Sequence, residues 1–235
     1  MNIILLAGGK SKFKVEGDEQ YPICLTEIDG QPLIKYILHS NSNLEEIKYT
    51  CIIRRSFVEK FHLDNVLRQL IEDVNLIVLE NDTMGAACSA LMAVDQINNE
   101  EELLLISADE YITEDVADIV KGFRKNKYDA GTVIFESVHP RYSYVNLDKN
   151  NSVLEAAEKN PISNNATVGL YWFKHGYDFV EGSMNSIRKD SSVMGNYYIC
   201  PVFNELILKQ KKIFAHKIDV SSYHPIKSQR QLEKI

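Results

Sequence analysis

The chain begins with the stretch IILLAGGKSKF at residues 3–13, in which an apolar run passes directly into a loop with two consecutive glycines. Five apolar residues are too few for a core helix and fit a buried β-strand. Two glycines at the carboxyl end of a strand let backbone N–H groups turn toward an anion, because no Cβ is in the way. Lys10 and Lys12 add positive charge. The stretch therefore predicts a strand followed by a phosphate-binding loop.

Apolar runs and amphipathic segments alternate along the next hundred residues. We predict further buried strands at residues 49–53, 75–79, 101–108 and 129–135. The segments between them predict helices, with Ser56 and Thr113 as expected N-caps, at residues 32–42, at 56–71, up to about 97 and at 113–127. This alternation favours a parallel sheet that binds ligands at the carboxyl ends of its strands.

The pattern changes after about residue 135. Residues 142–147 and 152–155 flank a turn of Asp and Asn residues, which predicts a β-hairpin, and residues 166–173 are rich in strand-forming side chains. We expect antiparallel strands here. For the rest of the chain the sequence predicts a helix at 200–208, a strand at 212–220 and a helix at 228–235. The fold class expected is therefore a single α/β domain, with a mixed, mostly parallel sheet flanked by helices in a Rossmann-like arrangement.

Composition excludes several classes of protein. The 235 residues are 45% apolar, enough to fill a core, and carry a net charge of −7, which argues against a nucleic-acid partner. No apolar run approaches the roughly 18 residues of a membrane span, so we expect no membrane partner and a cytoplasmic location. The four cysteines lack any Cys-x-x-Cys spacing and predict buried, reduced thiols.

Three short segments resemble the signature of the sugar-phosphate nucleotidyltransferases. They are AGGKSKF at residues 7–13, Pro-x-x-Leu at residues 22–25 and Gly-x-Pro-Leu at residues 30–33. The resemblance implies a glycosyltransferase-A-like fold with two functional halves in one domain over residues 1–235. Residues 1–135 would bind a nucleotide, and residues 136–235 would bind the acceptor.

The chain departs from the family signature at three positions in these segments. Lys10 stands in place of a glycine, Lys12 in place of an arginine, and Ile23 in place of a lysine that neutralises the reacting phosphates. Lys10, Lys12 or Lys14 would have to supply the charge that Ile23 lacks, unless the acceptor is held differently.

Asp109 follows the predicted strand at residues 101–108 directly. Lone acidic residues after strands are commonly caps or solvated loop residues, but the resemblance puts Asp109 at the family's metal-binding aspartate. A carboxylate together with substrate phosphates suits Mg²⁺. The family's second metal carboxylate is replaced by Pro225. Either Asp109 binds the metal with water and phosphate alone, or another group contributes, with Glu110, Asp219 and His224 as candidates.

Small residues occur at Thr83-Met84-Gly85-Ala86-Ala87, where a helix is predicted to start. Taken alone, they indicate close helix packing. The resemblance implies instead that this segment packs against the nucleobase and hydrogen-bonds it through the main chain. The nucleotide-binding residues that it implies are Leu6, Ala7, Gly8, Gly9, Lys10, Glu80, Thr83, Met84, Gly85 and Ala86.

The segment Glu158-Lys159-Asn160-Pro161 and the later Gly169-Leu170-Tyr171-Trp172-Phe173 resemble the family's Glu-Lys-x-Pro and Gly-x-Tyr-x-Phe motifs. Alone, the first would be a surface ion pair, and the glycine would be a bulge or a place of close approach. The resemblance implies that a lysine held by the preceding glutamate meets the acceptor phosphate. The implied acceptor-binding residues are Glu158, Lys159, Gly169 and Tyr171.

Together these resemblances imply Mg²⁺-dependent transfer of a nucleotidyl group from a nucleoside triphosphate to a phosphorylated small molecule, with release of pyrophosphate. The implied catalytic residues are Lys12, Asp109 and Lys159. The resemblance further leads us to expect CTP as the nucleotide, and as acceptor a sugar phosphate or a phosphorylated amino-acid or alcohol derivative such as phosphoglutamine, in bacterial capsule or surface-polysaccharide biosynthesis.

Two other functional classes remain compatible with the sequence. A glycosyltransferase of the same fold usually carries an Asp-x-Asp pair, which Asp109-Glu110-Tyr111 does not supply. A catalytically silent nucleotide-binding regulator would account for Ile23 and Pro225 together. The sequence does not fix the oligomeric state, and a homodimer is one candidate.

Overall fold

A nine-stranded mixed sheet forms the centre of the computed structural model, which describes residues 1–9 and 21–226. Four further short strands lie outside this sheet. In chain order, all the described strands are β1 (Asn2–Leu6), β2 (Glu27–Ile28), β3 (Gln31–Pro32), β4 (Lys48–Arg54), β5 (Asn75–Leu79), β6 (Leu103–Ser107), β7 (Glu110–Ile112), β8 (Ala130–Glu136), β9 (Ser143–Leu147), β10 (Val153–Glu158), β11 (Asn165–Phe173), β12 (Ile213–Lys217) and β13 (Tyr223–Pro225). The helices are α1 (Leu33–Ser40), α2 (Arg55–Phe61), α3 (Leu63–Leu70), α4 (Ala86–Leu91), α5 (Val94–Ile97), α6 (Val116–Lys125), α7 (Gly176–Arg188) and α8 (Val202–Leu208).

The first half of the sheet is parallel, as predicted. Strand β1 lies between β4 and β6 and is parallel to both, and β5 extends the sheet beyond β4. Leu6 is in register with Ile52 on one side and with Ser107 on the other. The carboxyl ends of these strands therefore reach one edge of the sheet together, and the loops that follow them meet there.

The second half of the sheet is mostly antiparallel. Strand β11 pairs antiparallel with β6 and β8, and β9 and β10 form the predicted hairpin. Strand β12 departs from this pattern because it pairs parallel with β8. Two small two-stranded sheets, β2 with β3 and β7 with β13, lie beside the main sheet.

Burial on both faces explains why the central strands are almost continuously apolar. Side chains alternate along β1, so that Ile3 and Leu5 join one hydrophobic cluster while Ile4 joins another. All three are fully buried. Helices cover both faces, which confirms the prediction of a single α/β domain with a mixed sheet flanked by helices.

Helix boundaries differ from the prediction at three places. The helix expected at 56–71 is divided into α2 and α3 by His62, whose φ of +51° is left-handed, and α2 begins after Arg54 rather than after Ser56 as N-cap. The helix expected up to 97 is divided into α4 and α5. Helix α6 is capped by Asp115, whose carboxylate accepts a 2.8 Å hydrogen bond from the Ala117 N–H, rather than by Thr113.

Several elements had no counterpart in the prediction. Helix α7 contains several Gly, Ser and Asn residues, which weaken its apolar periodicity, and it packs against α8 at Gly182, where an added Cβ would lie 2.7 Å from Val202. Strands β7 and β13 are three residues each, too short for a periodic pattern. The predicted helix at 228–235 lies outside the described residues. Within those residues, no helix is long and apolar enough to cross a membrane.

Two glycines near Phe123 give opposite expectations for the same substitution. An added Cβ at Gly131 would lie 2.7 or 2.8 Å from three atoms of the buried Phe123 ring, whereas at Gly122 in α6 it would meet nothing within 4 Å. We expect Gly131→Ala to lower the free energy of unfolding by about 1–3 kcal/mol through overpacking. Gly122→Ala should raise it by up to about 1 kcal/mol through helix propensity. Urea denaturation of both variants measures this, and equal shifts would contradict it.

Candidate active site

A cleft runs along the edge where β1, β4 and β6 end. It consists of a first cavity of about 440 Å³, bordered by the glycine loop after β1 and the start of α4, and a second cavity of about 620 Å³, bordered by β10 and β11. The two cavities share a set of lining residues, so they form one continuous cleft. The shared residues are Gly9, Ile23, Ala86, Ser107, Asp109 and Tyr198.

The glycine loop continues the line of β1. The Ala7 N–H donates to the Ile52 carbonyl at 3.0 Å, and the Ala108 N–H donates to the Leu6 carbonyl at 3.1 Å. Leu6, Ala7, Gly8 and Gly9 all line the first cavity. Lys10 and Lys12, predicted to follow them in the site, lie outside the described residues.

Arg54 is the last residue of β4 and contacts the loops that follow β1 and β5. Its Nε donates to the Gly8 carbonyl, and its guanidinium pairs with Asp82 in the loop after β5. Both side chains line the first cavity. Neither was predicted, although a charged residue directly after a buried strand, at the edge that carries the glycine loop, was a usable signal.

The Gly85 segment is held by backbone hydrogen bonds to Tyr197. The Tyr197 N–H donates to the Met84 carbonyl at 2.7 Å, and the Ala87 N–H donates to the Tyr197 carbonyl at 3.1 Å. Gly85 has a φ of +103°, and an added Cβ would lie 2.4 Å from the Tyr197 carbonyl oxygen. Only glycine fits there. Thr83, Gly85 and Ala86 line the first cavity, while the Met84 side chain is largely exposed.

Glu80, which the resemblance implied as a nucleotide-binding residue, lies outside the cleft. It is exposed and forms an ion pair with Arg55, whose hydrogen bond and charge lower the pKa of the Glu80 carboxyl. It lines neither cavity. Asp82, two residues later, is the carboxylate of this loop that reaches the cleft, because β5 has ended and the chain has turned toward Arg54.

Asp109 stands at the junction of the two cavities. It follows β6, is half-buried, and is held in place by its backbone carbonyl, which accepts a 2.8 Å hydrogen bond from the Ile226 N–H. In the part of the chain that the structure describes, no cluster of three or more His, Cys, Asp or Glu could hold a metal alone. A single carboxylate can hold Mg²⁺ when substrate phosphates bind beside it, because this ion keeps waters and uses substrate oxygens as ligands.

Glu110, the next residue, is buried and tied to the fold. Its carboxylate accepts hydrogen bonds from the Gly169 N–H and from the Tyr223 hydroxyl. Burial, followed by the charge of Glu110, raises the pKa of Tyr223 well above its ordinary value, so the phenol stays a donor. Glu110 therefore acts first as a buried hydrogen-bond acceptor that joins β7, β11 and β13.

The other candidates for a second metal ligand are engaged in local structure. Pro225 lies opposite Glu110 in the β7–β13 pair, and His224 stacks on Tyr111 with ring centroids 4.6 Å apart. Asp219 accepts hydrogen bonds from the backbone and hydroxyl of Ser221. Asp219 and His224 line neither cavity.

Lys159 lies at the second cavity directly after β10, with a left-handed φ of +53°. Its ammonium donates to the Tyr198 hydroxyl and lies 4.6 Å from the centroid of that ring. Glu158 is buried and accepts a hydrogen bond from the Ser143 hydroxyl. The structure therefore shows Lys159 in contact with Tyr198 rather than with Glu158, contrary to the expected pairing.

Gly169 and Tyr171 also line the second cavity. A Cβ at Gly169 would lie 2.0 Å from a Glu110 carboxylate oxygen, so the close approach that this glycine permits is that of Glu110. The β8–β11 register also shifts between Thr167 and Tyr171. The Tyr171 hydroxyl is buried and shares a 2.9 Å hydrogen bond with Thr167.

The chain matches the profile of the family described as Nucleotidyl transferase over residues 2–198. It belongs to this family. Its enzymes are nucleotidyltransferases, so the chain is an enzyme of that kind, as the sequence motifs predicted. No curated protein sequence matches it.

Solved structures show the same fold at low sequence identity. The nucleoside-diphosphate-sugar pyrophosphorylase from Vibrio cholerae RC9 is 22% identical, with a TM-score of 0.82, over 100% of this chain and 98% of that one. The inositol-1-phosphate CTP transferase from T. maritima is 14% identical, with a TM-score of 0.77, over 98% and 90%. A UDP-glucose pyrophosphorylase complexed with UDP-glucose is 17% identical, with a TM-score of 0.76, over 99% and 95%.

This nucleotidyltransferase has further cleft residues that carried no sequence motif. Asn196 and Tyr198 come from the loop between α7 and α8, and His139 and Arg141 come from the loop between β8 and β9. Irregular loops give no periodic signal, so these residues were not predictable from spacing. Cys24 also borders the first cavity, but burial raises the pKa of its thiol to about 12, so it is not a nucleophile.

The adjacent carboxylates Asp109 and Glu110 should differ in their effect on stability. We expect Glu110→Gln to lower the free energy of unfolding by about 1–3 kcal/mol, because an amide N–H₂ replaces one of two buried acceptors. Asp109→Asn should leave it nearly unchanged. Urea denaturation of the two isosteric variants measures the difference. Equal destabilisation would contradict the assignment of Glu110 as the structural carboxylate.

Proposed function

We propose that this nucleotidyltransferase transfers a nucleotidyl group, with CTP preferred, to a phosphorylated small molecule and depends on Mg²⁺. The observation that carries the proposal is the position of Asp109 between the first cavity, with its glycine loop, and the second cavity, with Lys159. Residues 1–135 form most of the nucleotide-binding half and residues 136–235 most of the acceptor-binding half. Asn196 and Tyr198 are exceptions, because they belong to residues 136–235 and yet line the first cavity.

The reaction needs positioning and charge neutralisation more than proton transfer. An acceptor phosphate oxygen attacks the α-phosphorus, the bond between the α-phosphorus and the bridging oxygen to the β-phosphate breaks, and pyrophosphate leaves. The nucleophile is already an anion, so no general base is required. Mg²⁺ at Asp109 would neutralise charge that develops on the phosphates.

Each side of the cleft has its own task. Backbone groups of Ala7, Gly8 and Gly9 would bind the nucleotide's phosphates, and Leu6, Thr83, Gly85 and Ala86 would line its base and sugar. Lys10 and Lys12, outside the described residues, are proposed to add charge at the triphosphate. On the acceptor side, Lys159 would meet the acceptor phosphate, with Glu158, Gly169 and Tyr171 in the wall of the cavity.

The lining of the second cavity indicates the class of acceptor. A buried carboxylate and the hydroxyls of Ser143 and Thr167 border the second cavity, which suits a polar acceptor. A sugar phosphate or a phosphorylated amino-acid or alcohol derivative fits that description. We place the reaction in the cytoplasm, in capsule or surface-polysaccharide biosynthesis, with a homodimer as the candidate assembly. The T. maritima relative named as a CTP transferase supports CTP as the first nucleotide to test.

Pyrophosphate release tests the reaction itself. Each ribonucleotide and dTTP should be offered with Mg²⁺ against a panel of phosphorylated sugars, alcohols and amino-acid amides. An active pair would identify both substrates. Nucleotide binding without turnover on any acceptor would favour the catalytically silent regulator instead.

Asp109→Asn should reduce kcat by about 10²–10³, because the neutral amide is a poor ligand for the metal that stabilises the transferred phosphoryl group. Asp118→Asn is the matched control, since Asp118 is exposed on α6 and lines neither cavity. Near wild-type turnover in the folded Asp109 variant would remove Asp109 from the mechanism.

Arg54 and Arg55 provide a second matched pair. We expect Arg54→Gln to weaken nucleotide binding about tenfold, because Gly8 and Asp82 lose the guanidinium that holds them. Arg55→Gln should leave binding unchanged, since Arg55 pairs with Glu80 outside the cleft. Calorimetric titration with the Mg²⁺–nucleotide measures both. Equal losses would mean that general surface charge, rather than the Arg54 contacts, determines affinity.

A further inference from the structure

The Tyr198 side chain reaches both halves of the cleft and contacts a proposed catalytic group. It lines both cavities, and its hydroxyl accepts a hydrogen bond from the Lys159 ammonium. We propose that Tyr198 is the positioning residue of Lys159, and that it couples nucleotide binding in the first cavity to acceptor binding in the second. The coupling rests on the proposed function.

The lysine needs such a partner because of its own chemistry. Lysine carries its charge on a flexible four-carbon stem with many rotamers. Lys159 directly follows the end of β10, and its backbone N–H donates to the Tyr142 carbonyl at 3.0 Å, which fixes the main chain but not the long side chain. The Tyr198 hydroxyl and ring together fix the ammonium at one place, 4.6 Å from the ring centroid. An ammonium has three N–H donors, so two remain for an acceptor phosphate.

The backbone of Tyr197 connects this contact to the nucleotide side. It exchanges hydrogen bonds with Met84 and Ala87, and the Tyr197 hydroxyl donates to Asp190 at 2.9 Å. Tyr197 is buried, and its carbonyl lies where a Cβ on Gly85 would be. The Gly85 segment and Tyr197 are therefore packed as one unit.

Successive Cα atoms are held about 3.8 Å apart by the peptide bond, so Tyr198 follows any shift of Tyr197. A nucleotide that binds against Gly85 and Ala86 should thus also restrict the position of Tyr198 and, through Tyr198, that of the Lys159 ammonium. Coupling between sites is reciprocal in binding free energy. Bound nucleotide should raise the affinity for the acceptor, and bound acceptor should raise the affinity for the nucleotide by the same factor.

The first test needs no turnover. Lys159 in the full-length protein is labelled with a trace of acetic anhydride, and the modified peptide is quantified by mass spectrometry for the wild type and for Tyr198→Phe. The substitution keeps the ring and removes only the hydroxyl. We expect the labelling rate of Lys159 to rise several-fold in the variant, because the ammonium loses its fixed partner. Tyr36→Phe, which removes a hydroxyl bonded to Ile28 outside the cleft, should leave the rate unchanged.

The same labelling with Mg²⁺–CTP, or whichever nucleotide binds by calorimetry, tests the coupling. Nucleotide should slow the labelling of Lys159 in the wild type and change it little in Tyr198→Phe. Equal labelling of the two proteins without nucleotide would overturn the positioning role. An equal response to bound nucleotide would overturn the coupling. If no nucleotide binds the wild type, the proposed function and the coupling both fail, while the labelling without nucleotide still decides the positioning role.

Kinetics provide the independent confirmation once an active substrate pair is known. Tyr198→Phe should raise the acceptor KM about tenfold and, because the coupling is reciprocal, should also raise the nucleotide KM at saturating acceptor. The nucleotide Kd measured without acceptor should stay within about twofold, since only the acceptor meets Lys159. The double variant with Lys159→Ala should be no worse than Lys159→Ala alone, because the two side chains act through one contact. Additive losses would show that Tyr198 acts independently of Lys159.

Discussion

The parallel pairing of β1 between β4 and β6 is the constraint on which the rest of the molecule depends. Leu6 lies in register with Ile52 and Ser107, so the glycine loop, Arg54 and Asp109 all emerge at the same edge of the sheet. A shift of this register by one residue would turn the buried side chains to the opposite face. The apolar strands buried on both faces thus fix the geometry of the cleft.

The buried Glu110 carboxylate fixes the other side of the same edge. It binds the Gly169 N–H and the Tyr223 hydroxyl, so one side chain joins the end of β6 to β11 and to the last described strand. Gly169 is required because its missing Cβ is the space that this carboxylate occupies. Glu110 thereby leaves Asp109 as the carboxylate at the junction of the two cavities. Both adjacent acidic residues line the second cavity, but their roles differ because the Glu110 carboxylate is bonded to Gly169 and Tyr223 whereas Asp109 also lines the first cavity.

Sequence reasoning predicted the sheet because apolar periodicity identifies strands, and it placed Asp109 at a carboxyl edge because the residue after a strand lies there. The metal-binding role of Asp109 came from the family resemblance and stays a prediction. Sequence reasoning placed Glu80 in the cleft where the structure has Asp82, because periodicity does not show where the chain turns after β5. It paired Lys159 with its neighbour Glu158, whereas the contact is with Tyr198, 39 positions away in the chain. Contacts between irregular loops depend on the assembled fold, and no local pattern carries them.

The charges around the first cavity add a further requirement on the proposed reaction. Of the described residues that line it, Arg54 is the cation, and it already binds Gly8 and Asp82, while Asp82 and Asp109 are acidic. A triphosphate placed against this wall would meet net negative charge, which is repulsive at close range. Ile23 borders both cavities and adds no charge. Binding of a nucleoside triphosphate therefore requires positive charge from elsewhere, which a metal ion at Asp109 and the lysines at positions 10, 12 and 14 of the sequence can supply.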